Sequence, residues 1–160
     1  MENITFLGLH DPASSISHFI GAFGFLVAAI WLFRRGHGNS SRLVSLGIFT
    51  FSLVFLFSMS AVFHLLEPGG QARAVLQRLD HSAIWVLIAG TFTPIHIILF
   101  RGPWRWAMLS LIWAIAITGL TLQAVFFHSF PEWLILSLFL GLGWMGLFTM
   151  TQFRKQFGHA

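Results

Sequence analysis

A chain of 160 residues that is 56% hydrophobic and only 9% charged, with a mean hydropathy of +0.80, cannot cover its surface against water, because a soluble domain carries roughly 25% charged residues. Lipid is therefore the expected solvent for most of it. The absence of cysteine excludes disulfides and Cys-ligated metal sites. The nine Lys/Arg lie scattered in loops rather than along one face, which excludes a nucleic-acid partner despite a pI near 11.5.

The first residues do not read as a cleaved leader: Glu2 and Asp11 replace a basic start, and no small-residue cleavage site follows. The first apolar run is expected to stay as a membrane anchor. A spanning helix needs about 20 mostly apolar residues. Five stretches meet or approach that length: Ile16 to Phe33, Leu43 to Leu66, Ser82 to Phe100, Trp104 to Phe127, and Trp133 to about Phe153. Backbone groups in hydrocarbon must bond within their own segment, so these are helices. The strict alternation of a membrane β-strand is missing.

The predicted class is all-α integral membrane, a five-helix transmembrane bundle forming a single domain over 1–160. Trp31, Trp104, Trp106 and Trp133 fall near helix ends, where an indole favours the headgroup layer. Short connections predict sequential helices packed antiparallel. Glu67-Pro68-Gly69-Gly70 is a strong break. Residues 71–79 then read either as a short interfacial lead-in carrying Arg73 and Arg78 or as a solvated loop.

Seven Lys/Arg (Arg34, Arg35, Arg42, Arg101, Arg105, Arg154, Lys155) fall on one side of the expected bundle and two (Arg73, Arg78) on the other. That bias places the N-terminus outside and the C-terminus in the cytoplasm.

Ionisable groups beside hydrocarbon are costly and tend to mark sites. Ser60 and His64 are four residues apart and share one helix face. A tight turn would return Asp80, sixteen residues after His64, to the same level. An imidazole, a carboxylate holding a metal-bound water, and a hydroxyl suit a metal centre. Plainer readings stand beside this one. Asp80 is placed to cap the third helix, Ser60 to bond the carbonyl four residues back, and His64 to snorkel.

Further along, Gly90, Thr91, Thr93 and Pro94 predict a kink in which the hydroxyls serve freed carbonyls. His96 reads as facing a polar cavity or bonding nearby backbone, and His128 as interfacial. Gly141-Leu142-Gly143-Trp144-Met145-Gly146 spells G-x-G-x-x-G inside an apolar helix with no preceding strand. It reads as close helix packing rather than a dinucleotide loop.

The runs D-P-A-S-S-I-S-H-F-I-G-A at 11–22, S-A-V-F-H at 60–64 and L-D-H-S-A-I-W-V-L-I-A-G-T-F-T-P at 79–94 together resemble the hemolysin III branch of the progestin and adipoQ receptor superfamily, related to the alkaline ceramidases. The resemblance covers most of the chain. It implies a seven-helix bundle holding zinc through three histidines, with hydrolase-like or lipid-sensing activity. It matches His64 to the first zinc ligand, Asp80 to the carboxylate on the zinc-bound water, and Ser60 to the motif serine.

The other two ligands of that pattern form an H-x-x-x-H pair in a seventh helix. No such pair occurs here, since His10, His18, His37, His81, His96, His128 and His159 never recur four apart. The last two helices of the pattern have no counterpart, and His18 or His81 would be the substitutes at hand. The resemblance also implies a site facing the cytoplasm, opposite to the charge bias.

Three readings of function follow: a zinc-dependent lipid amide hydrolase or lipid-sensing relative; a non-enzymatic bundle, cytolytic or serving lipid homeostasis; and an inactive short homologue. Membrane lipids are the expected partners. A homo-oligomer is a further expected partner, or a complementing polypeptide that supplies the missing donors, and the bacterial plasma membrane is the expected location.

Overall fold

Asp11 and Pro12 start the first helix four residues ahead of its apolar run. The Asp11 carboxylate accepts the Ser14 N–H at 3.2 Å, and proline at the first helical turn costs no hydrogen bond. The computed structural model describes residues 10–157. These form five helices: α1 Pro12–Gly36, α2 Ser40–Leu65, α3 Gln71–Pro94, α4 Trp104–Val125 and α5 Glu132–Phe157, with a π-helical turn Ile95–Leu99 continuing α3. Each is long and apolar enough to cross a membrane. At 1.5 Å per residue even α4, with 22 residues, outspans the roughly 30 Å hydrocarbon layer.

The third helix departs from the expected start at Ser82. Residues 71–79 are neither a separate lead-in nor a loop but the opening turns of α3. Arg73 and Arg78 lower the hydropathy there without interrupting the helix, because both heads find backbone oxygens. Arg73 donates to the Leu66 carbonyl at the end of α2 and lies over the Phe63 ring at 4.6 Å. Arg78 reaches the Ala124 carbonyl near the end of α4 at 3.4 Å. Gly70 therefore occupies the cap of α3, with no side-chain cap bond, and Asp80 is the tenth helical residue rather than the cap.

α1 packs on α2, α2 on α3 and α3 on α4, while α5 touches α3 sparsely. α3 is the central helix: 44% of its apolar stretch is buried inside the protein, against 11% for α1 and 6% for α5. The core gathers Trp85, Ala89 and Phe92 of α3, Ile112 and Ala116 of α4, and Leu142 of α5. Trp85 donates its indole N–H to Gln123 at 2.6 Å in this core, since a buried donor without a partner is costly.

Two glycines set the helix spacing. A methyl at Gly90 would lie 2.3 Å from Ser52 Oγ and 2.8 Å from its Cβ, and one at Gly119 would lie 2.7 Å from the Trp85 ring. Gly141 and Gly143 do not act in this way: nothing lies within 4 Å of a Cβ built at either. The close packing expected of the G-x-G-x-x-G run is absent there, because α5 turns those positions away from its neighbours.

Pro94 lacks the N–H that would reach the Gly90 carbonyl, and the helix beyond it widens into the π turn. The threonine hydroxyls bond the carbonyls four residues back, Thr91 to Leu87 and Thr93 to Ala89, each at 2.8 Å. They do not reach the carbonyl that the proline frees.

Candidate functional site

Antiparallel packing of α1 and α2 brings the start of the first helix to the end of the second. His64 Nδ1 lies 3.3 Å from Asp11 Oδ2, and the Asp11 N–H donates to the His64 carbonyl at 3.2 Å. One turn on, the buried Ser15 hydroxyl donates to the Ala61 carbonyl at 2.9 Å. The His18 ring meets the His64 ring edge-on at 5.5 Å and the Phe57 ring at 5.7 Å. The His18 Nδ1 is buried without a hydrogen-bond partner.

The carboxylate faces the imidazole directly. An ionised carboxylate only accepts, so its place beside Nδ1 favours a proton on that nitrogen and leaves Nε2 as the ring nitrogen turned away from the pair. Hydrogen bonds from Ser14, and after them the nearby His64, hold the Asp11 carboxyl below its usual 3.8. A carboxylate behind an imidazole is the arrangement that orients a ligating histidine.

Ser60 is buried on α2 one turn before His64. Asp80 is half-buried on α3, and among the described residues the carboxylate paired with His64 is Asp11. The structure thus unites Ser60 and His64 on one helix and adds Asp11, Ser15 and His18 from α1, which residue spacing on α2 and α3 did not reveal. The signal was the D-P-A-S-S-I-S-H run itself. An Asp-Pro helix start lies at the depth of His64 as soon as α1 and α2 pack antiparallel.

His81 follows a different course. Its Nδ1 bonds the Gln77 carbonyl at 2.8 Å, and its ring stands edge-on to Phe127 at 5.3 Å. It lines a cleft of about 480 Å³ with Gln123, His128 and Glu132. His96 is buried, and its Nδ1 bonds the Phe92 carbonyl at 2.9 Å. It also borders a cleft of about 280 Å³ whose other walls are mainly apolar.

A zinc site takes three or four protein donors. Among the described residues no group of three or more His, Cys, Asp or Glu is placed to hold a metal ion. The donors of these residues do not by themselves fit a zinc ion.

An all-helical bundle with five membrane-length helices among the described residues defines an integral membrane protein. Residues 8–160 match the family described as Haemolysin-III related, and the chain belongs to that family. It is 33% identical over 147 residues to Hemolysin-3 of Bacillus cereus, covering 91% of this chain and 66% of that protein. It is 32% identical over 139 residues to the Hemolysin-3 homolog of Bacillus subtilis (strain 168), covering 84% and 63%. The chain therefore spans just under two thirds of the length of these curated relatives. No solved structure matches it.

Proposed function

We propose that this hemolysin III protein contributes part of a lipid-embedded polar centre of the kind used by lipid amide hydrolases and their lipid-sensing relatives in the progestin and adipoQ receptor superfamily. His64 would be its imidazole donor, with Ser60 and Asp80 as the hydroxyl and carboxylate of the same centre. The observation that carries this reading is the Asp11–His64 pair: a carboxylate 3.3 Å from Nδ1 is the kind of partner that orients an imidazole toward a ligand at its other nitrogen. The remaining donors would come from a complementing polypeptide, and zinc belongs only to the completed centre. The bacterial plasma membrane is the place for it, and the exposed apolar flanks of α1 and α5 face its acyl chains.

The test compares two preparations: the chain tagged in its native membrane and isolated in mild detergent with whatever accompanies it, and the chain overproduced alone. Hydrolysis of a ceramide-type amide by the first, lost in His64→Ala, with none by the second, is the expected result. Hydrolysis by the native preparation that survives His64→Ala overturns the assignment of His64.

A cytolytic bundle is the competing reading, suggested by the name hemolysin that the relatives carry. Dye leakage from vesicles that is indifferent to His64→Ala would select it.

A further inference from the structure

The far end of the bundle from His64 is built of one sign of charge. The carboxylates among the described residues, Asp11, Glu67, Asp80 and Glu132, all lie toward the end where α1, α3 and α5 begin. At the other end the start of α2, the exit of the π turn and the start of α4 enclose a pocket of about 260 Å³. Asn39, Ser41, Arg42, Arg101, Arg105 and Trp106 supply its polar and interfacial walls.

Three guanidinium groups with no carboxylate among them are mutually repulsive; Arg42 and Arg101 are exposed, while Arg105 is half-buried. Among the described residues none of the three pairs with a carboxylate. Arg105 is fixed in place: it donates to the Phe100 carbonyl at 3.1 Å and lies over the Trp106 ring at 5.0 Å. Its Nε is buried without a hydrogen-bond partner. The amino end of α2 adds the positive end of its dipole. The geometry calls for an anion that accepts several hydrogen bonds at once, and phosphate is the group that arginine clusters bind best.

The neighbourhood points to the source of that phosphate. Phe100, itself buried, walls the basic pocket on one side. On others it walls two apolar clefts, one of about 280 Å³ between the π turn, α4 and α5 and one of about 370 Å³ between α3, the π turn and α5. Trp104 and Trp106 are more than half exposed here, at the depth where indoles meet headgroups. A charged pocket sharing a wall with apolar clefts matches one molecule with both characters.

We propose that the Arg42–Arg101–Arg105 pocket binds the headgroup phosphate of an anionic phospholipid, with an acyl chain lying in a cleft beyond Phe100. This site is independent of the His64 centre.

The test uses the full chain in a neutral detergent, titrated with phosphatidylglycerol, phosphatidylcholine or inorganic phosphate and read by native mass spectrometry. Retention of one phosphatidylglycerol, stronger than of phosphatidylcholine, is expected, weakened about thirtyfold in Arg42→Ala/Arg101→Ala. Arg34→Ala/Arg35→Ala removes the same charge outside the pocket and should leave retention unchanged. Equal loss in both double variants would mean diffuse attraction and overturn the site. Binding of inorganic phosphate without lipid retention would assign it to a soluble anion and overturn the lipid.

Discussion

His64 and Asp11 are joined twice, ring to carboxylate at 3.3 Å and amide to carbonyl at 3.2 Å. The same carboxylate caps α1 through Ser14. One residue thus starts a helix, ties it to its neighbour and sets a carboxylate against Nδ1 of the imidazole.

Asp11→Ala removes the cap and the ring contact together. It should destabilise the protein by about 1 kcal/mol or more through the cap alone, lowering the melting temperature in detergent. Asp11→Asn keeps a capping oxygen and loses the charge, so its cost should be smaller. Nitrogen shifts of the His64 imidazole should show a protonated Nδ1 in the parent and a mixture of tautomers in both variants.

The lowered Asp11 carboxyl also gives a pH dependence. A folded-state pKa held below 3.8 stabilises the protein above the unfolded value, and that contribution is lost as pH falls through the folded value. Melting temperature should therefore decline on acidification below about pH 4. Asp11→Asn should remove this group's share of the decline.

Much of this architecture could be read from hydropathy. Five apolar runs became five helices, since lipid leaves the backbone no partner but itself. The carboxylate beside His64 was harder to find. Asp80 stood out because a short turn links its helix to α2, yet Asp11, fifty-three residues before His64, reaches the same depth by antiparallel packing. Residues 71–79 misled for another reason. Hydropathy counts Arg73 as an interruption, whereas its guanidinium closes the end of α2. Gly141 and Gly143 had small size but no helix opposite them, which composition cannot report.

Gly90 offers a packing test. Gly90→Ala should press its methyl against the Ser52 side chain, 2.3 to 2.8 Å away, and cost about 1–3 kcal/mol. Removing the opposing side chain in Gly90→Ala/Ser52→Gly should recover part of that loss. Unchanged melting in the single variant would show that α2 and α3 separate at no cost.

Gln123→Leu should strand the buried Trp85 N–H, which it holds at 2.6 Å, at a cost of about 1–3 kcal/mol. The indole emission of the folded protein should shift, and thermal unfolding should occur earlier. Gln123→Glu keeps an acceptor and should lose less of the indole signature.

Zinc titration of the chain alone, purified in detergent and compared with His64→Ala, addresses the central claim most directly. Weak, substoichiometric binding that disappears with the imidazole is expected, because His64 is one donor of a centre completed elsewhere. Tight binding of one zinc per chain that persists in His64→Ala would contradict it.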